Sequence, residues 1–343
     1  LNQKEMLRGV SRTFALSIEQ LPPVLCDAMS VSYLLLRVSD LLEDHDTLPP
    51  ERKSELLRLW ARVLDEDVPV EDLTSQITDL DSDDPEVYVA QHAGRVLEML
   101  AALPADLQTA IIARVAKTSR GMARWQDHGP YVADEAEMDD YMHEVAGRVG
   151  YLTTDVFSWS SAAIRAKRDT LMPLSRECGL ALQTVNVIRG MRKDYERGWV
   201  FVPQVFYERF GLTRDSLFDH ANLDRSMQVV ALLADKADRH LENGMHYITA
   251  FPRRYHRIRL ACAWPLLFAA RTLAISRNNP AVLISEAKMT RAEVHAIVRQ
   301  TTLFGWSNHW MMYYYGRLTR PPVLPASSAP PPAPPSALPS SAA

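Results

Sequence analysis

The chain is short of glycine, cysteine and excess charge. There are thirteen glycines in 343 residues, and strand-like alternation with hairpin turn signals is scarce, which argues against a β-rich fold. The three cysteines, Cys26, Cys178 and Cys262, have no disulfide or zinc spacing and read as buried thiols of a reducing cytoplasm. A net charge of −4 and a pI near 6.2 give no basic footprint for nucleic acid. No apolar run approaches the ~20 residues of a membrane span. The longest, Cys262 to Ala270, contains Pro265. Lys4, Glu5 and Arg8 break the N-terminus with no long apolar core behind them, so no signal peptide is expected.

What is present is helical patterning. The composition, 47% hydrophobic and 23% charged, is that of a globular chain. Apolar residues recur at spacings of three and four, as in Leu56, Leu57, Trp60, Val63 and Leu64, or Leu107, Ile111, Ile112 and Val115. Pro49-Pro50, Leu103-Pro104 and Asn279-Pro280 mark helix boundaries, and Asp79 to Pro85 is an acidic turn. The expected fold is all-α, one helical domain over 1–318. From Arg320 onward the chain is almost entirely Pro, Ala and Ser and holds nine of the 22 prolines. Residues 319–343 therefore read as a disordered tail.

Two polar clusters interrupt the apolar pattern. Asp40-Leu41-Leu42-Glu43-Asp44 ends a helical run that includes Tyr33 and Arg37. Asp40 and Asp44 share a face, one turn apart, and repel each other there. A hard divalent cation would offset that repulsion; so would solvation at a helix end. The second cluster is a stripe, Gln183, Asn186, Gly190 and Asp194, at spacings of three, four and four, with Arg189, Arg192 and Lys193 alongside. It is either one wet helix face or the wall of a cavity that holds metal and diphosphate. Two such faces around one cavity suit ionisation of an allylic diphosphate, with an apolar interior shielding the cation.

Five ordered segments carry a resemblance. Ser11-Arg12-Thr13-Phe14-Ala15-Leu16 resembles S-R-S-F-A, and Tyr33 to Asp44 resembles Y-L-x-L-R-x-x-D-x-x-E-D. Tyr141 to Gly150 is similar to Y-C-H-Y-V-A-G-x-V-G, and Gln183 to Asp194 to Q-x-x-N-I-I-R-D-x-x-E-D. Cys262-Ala263-Trp264-Pro265, then Asn278-Asn279 and Lys288, resemble C-A-x-P and N-N. Together they resemble the squalene/phytoene synthase family, its squalene synthases more than its phytoene synthases. The resemblance implies an isoprenoid-synthase helical bundle around a central cavity. It implies Mg²⁺ on Asp40 and Asp44 with Glu43 in support, and on Asp194 opposite. Arg12 and Arg37 would bind diphosphate, Tyr33 and Tyr141 would stand near the reacting carbons or the departing diphosphate, and Gln183, Asn186, Arg189 and Lys193 would serve the second face.

One departure matters. Gly190 stands where the family has Asp, and Lys193 where it has Glu. The resemblance then implies a Mg²⁺-dependent prenyltransferase that joins a prenyl diphosphate to a second small molecule, an aromatic acceptor. The alternative is head-to-head joining of two prenyl diphosphates, and only that alternative calls for NADPH. Cytoplasmic location, at most transient membrane contact and no nucleic-acid partner complete the expectation.

Overall fold

A computed structural model of the chain describes residues 2–285 and 287–320. Every regular element among them is a helix. Of the expected tail, Thr319 and Arg320 follow the last helix, and 321–343 lie outside the described residues. Pro173 and Pro265 lie inside helices, but several other prolines sit at helix starts, where a missing N–H costs nothing. Pro50 and Pro85 begin the helices Pro50–Leu64 and Pro85–Gln91, and Pro104 immediately precedes Ala105–His128. The stripe from Leu56 to Leu64 faces inward, none of its five apolar members more than 5% exposed. Buried apolar side chains from Met6 to Met311 form one continuous core, and the three cysteines are free and buried.

The longest helix, Arg168–Glu196, is the central post. It packs against Leu223–Ala250, Arg148–Ser160 and His256–Ser276. Pro23–Asp44 crosses Ala105–His128, where the buried hydroxyls of Ser39 and Ser119 share a 2.8 Å hydrogen bond. These helices enclose a cavity of about 900 Å³.

Two glycines set how closely its walls approach. A Cβ on Gly150 would lie 2.1 Å from the Ser175 carbonyl oxygen, and one on Gly179 would lie 2.4 Å from that of Ala146. Only glycine permits this backbone-to-backbone contact. The A-G-x-V-G segment is thus a spacer that draws the central post against the chain that follows Tyr141. A single π-type turn, His143–Gly147, separates Tyr141 from that contact, a feature often found at functional sites.

One helix, His256–Ser276, is long and apolar enough to cross a membrane by length and composition. Arg257, Arg259 and Arg271 hide this in the sequence. It is a core helix here, with 72% of its apolar window buried in the fold, and Ala261, Cys262 and Pro265 line the cavity.

Candidate active site

The last turn of Pro23–Asp44 carries Asp40, Glu43 and Asp44. A helix C-terminus is the negative end of the backbone dipole, so three carboxylates there are doubly disfavoured without a cation. Part of that cation is supplied by protein. Arg37 donates from Nη1 to Asp40 at 2.9 Å and pairs through Nη2 with Glu86, on Pro85–Gln91. Burial nevertheless pushes the Asp40 carboxyl up to about 6, against the pull of Arg37. Glu43, 8% exposed, is raised well above the carboxylate range, by burial first and then by Asp44 and Asp40. Asp44 is 63% open at the cavity mouth.

The opposite wall is the central post. Gln183, Asn186, Arg189, Gly190, Lys193 and Asp194 all line the cavity, so the polar stripe faces it. The missing side chain at Gly190 leaves room: a Cβ there would meet only Asp194 Oδ2, at 3.6 Å. Asp194 is raised by burial and pulled back by Arg197. Arg197 donates from Nη2 to Asp194 at 2.8 Å and from Nη1 to Asp44 at 3.4 Å. One guanidinium therefore bridges the two acidic faces. The Nε atoms of Arg37 and Arg197 are both buried without a protein partner. Buried donors are normally satisfied, and the oxygens of a diphosphate are suited to these two.

The tyrosines complete the lining. Tyr141 is 4% exposed and stacks on Phe201 at 4.4 Å, with Trp125 edge-on at 5.4 Å. Burial, then Glu43, hold its phenol well above its ordinary pKa, so it stays neutral and able to donate. Tyr33 lies against Phe14, with the Arg37 guanidinium 6.0 Å from its ring centre.

All the expected site residues except Arg12 line this one cavity. Arg12 is exposed at the first position of Arg12–Glu19, where its neighbour Ser11 caps the helix by accepting from the Phe14 N–H. Sequence reasoning missed Glu86, Arg197 and Phe201. Arg197 did carry a signal, since it lies three residues after Asp194 on the same helical face. Nothing in the sequence pairs Glu86 with Arg37 across 49 positions.

Whether these residues suit Mg²⁺ is a question of donor chemistry. Among the described residues, no three His, Cys, Asp or Glu side chains converge on one point. Mg²⁺ does not need such a cage: it takes one or two carboxylates, and phosphate and water complete its shell. Asp40, Glu43 and Asp44 are all-oxygen donors, and burial opposes the ionisation of Asp40 and Glu43. That set fits a hard cation.

Comparison with known proteins decides the family. The sequence profile described as Squalene/phytoene synthase matches residues 7–293. The chain belongs to the squalene/phytoene synthase family. Members of this family act on prenyl diphosphates. Squalene synthase 1 of Panax ginseng is 30% identical over 304 residues, covering 86% of this chain and 68% of that protein. A probable squalene synthase of Neurospora crassa is 27% identical over 302 residues, and the match spans 86% of this chain and 60% of the relative's length. The solved complex of TcSQS with a ligand has the same fold, with a TM-score of 0.79 at 23% identity, over 92% of this chain and 90% of that one.

Proposed function

We propose that this family member ionises one allylic prenyl diphosphate per turnover and transfers the prenyl chain to an aromatic small molecule. The observation that carries this reading is the state of the second face. Its one remaining carboxylate, Asp194, is already held by Arg197 at 2.8 Å, and Gly190 and Lys193 replace two acids with a gap and a cation. Only the Asp40–Asp44 face keeps a full carboxylate set.

In this reading Asp40, Glu43 and Asp44 hold Mg²⁺. Bound there, the ion supplies charge neutralisation of the leaving diphosphate. Arg37 and Arg197 bind the diphosphate oxygens through their unpaired N–H donors, and Lys193 adds a point charge at the mouth. The C1–O bond breaks, and its electron pair leaves on the diphosphate. Val149, Leu182 and the faces of Tyr33 and Tyr141 shield the allylic cation from water. A ring carbon of the acceptor bonds to C1, and the ring proton passes to the released diphosphate.

Head-to-head condensation of two prenyl diphosphates is the second reading. The squalene synthases 27% and 30% identical to the chain favour it. The two readings part when the protein is incubated with C5, C10, C15 or C20 allylic diphosphates and Mg²⁺, with and without hydroxylated indoles or naphthols. Aryl transfer requires a prenylated ring and no prenyl dimer. A dimer from donor alone, with or without NADPH, would overturn it.

Two further outcomes follow. Gly190→Asp is expected to fit without loss of fold, since its Cβ has only an ordinary contact to make. It should tighten binding of a second diphosphate, read by calorimetry with inorganic diphosphate and Mg²⁺. Unchanged stoichiometry would count against a lost metal face. The raised Asp40 pKa sets a pH dependence. A carboxyl raised in the folded state binds its proton more tightly there than in the unfolded chain. Its contribution to stability is thus present below the unfolded carboxylate range and lost as pH rises through about 6. Added Mg²⁺ should accordingly raise Tm more at pH 7.5 than at pH 5, and kcat/KM should fall as pH drops through about 6.

A further inference from the structure

A second chamber, of about 490 Å³, adjoins the main cavity and shares Glu43, Asp44, Asp46, Tyr141, Arg197 and Phe201 with it. Three of its features, Tyr141 apart, are unused by the ionisation chemistry. The first is an aromatic wall: Trp199 stacks on Phe201 at 5.3 Å and Phe201 on Tyr141 at 4.4 Å, with interplanar angles of 21° and 13°. The second is Gln126, 5% exposed, whose Oε1 is buried with no hydrogen-bond partner. A buried amide oxygen left unpaired is costly and uncommon. The third is Lys53, 9% exposed, which makes no ion pair within 4 Å among the described residues. Burial pulls its ammonium pKa down, with Asp44 and Glu43 acting the other way.

The wall charges discriminate among ligands. With Arg197, Glu43 and Asp44 taken by the donor diphosphate and its cation, Lys53 is the one basic side chain left among the chamber's lining residues, beside Asp46 and Glu196, so a second diphosphate is poorly matched to this chamber. A neutral planar ring suits it: stacked on the aromatic wall, with an N–H or O–H for Gln126 Oε1 and an oxygen for the Lys53 ammonium.

We infer that this chamber is the acceptor's binding site, and that it takes a neutral, electron-rich aromatic bearing one N–H or O–H donor and one oxygen acceptor. The inference rests on the aryl-transfer reading and adds where the acceptor sits and what selects it. Tyr141 and Phe201 belong to both chambers, so a ring held there borders the carbon that ionises.

The probes are 5-hydroxyindole and 5-methoxy-1-methylindole, which keeps the ring and an oxygen acceptor and has no N–H or O–H, titrated calorimetrically into the full chain with Mg²⁺ and inorganic diphosphate. The methylated compound is expected to bind at least tenfold more weakly. Gln126→Leu should weaken 5-hydroxyindole about tenfold and erase the difference between the two. Trp199→Ala, at a partly exposed position, should weaken both. Equal affinities in wild type and both variants, or no binding of either probe, would overturn the chamber assignment. Product analysis separates the two claims. A prenylated indole formed with the same acceptor KM in all three proteins sinks the chamber and leaves aryl transfer standing. Probe-selective binding with only a prenyl dimer as product sinks aryl transfer and leaves the chamber.

Discussion

Asp40→Asn is expected to lower kcat by about 10²–10³-fold, the scale of losing one preorganised charge-stabilising group, and to leave Tm unchanged or slightly higher. Asparagine keeps the shape and still accepts from Arg37 Nη1, whose other nitrogen stays paired with Glu86. The fold keeps that hydrogen bond and loses only the charge of the Arg37–Asp40 ion pair. That charge sits on a carboxylate that burial already disfavours, so stability at neutral pH has no reason to fall. What disappears is the charge that neutralises a cation beside the diphosphate. Diphosphate release measures the first effect and thermal melting the second. A near-wild-type rate would remove Asp40 from the metal role, and a large drop in Tm would make it a structural residue.

Arg197→Met should raise the donor KM by about 10- to 100-fold, since hydrogen bonds to charged groups contribute about 1.5–3 kcal/mol each. Among the described residues the guanidinium is the one bridge between Asp44 and Asp194. Its removal leaves two carboxylates facing each other across the cavity mouth and deletes the unpaired Nε donor. Arg197→Lys should restore part of the loss, because it returns charge without the planar fork. A merely structural role would lower Tm in Met and Lys variants alike and leave the donor KM where it was.

Much of this site was legible in the sequence because it lies on two long helices. Helical periodicity alone places Asp40 with Asp44, and Gln183 with Asn186, Gly190 and Asp194, so each face could be read locally. What periodicity cannot supply is how the faces meet. The Arg37–Glu86 pair joins helices 49 positions apart, and the aromatic wall from Tyr141 to Trp199 joins a helix to the segment after another. Arg197 is the C-cap of Arg168–Glu196; Gly198, at φ +84°, closes that helix, and Arg197 turns back from it to Asp44. Arg12, which the motif places at the diphosphate, is exposed at the start of Arg12–Glu19 and is not among the residues that line the cavity. The helical fold itself followed from spacing and proline placement, with little left for tertiary contacts to override.

The central claim is that one diphosphate is ionised per turnover. It is tested most directly by giving the enzyme an equal mixture of unlabelled and fully deuterated allylic diphosphate, with Mg²⁺ and a hydroxylated aromatic, and reading product masses. One prenyl chain per product predicts two mass species in equal amounts, each carrying the ring. Three species in a 1:2:1 ratio, with no ring attached, would show two prenyl chains joined and would contradict the account.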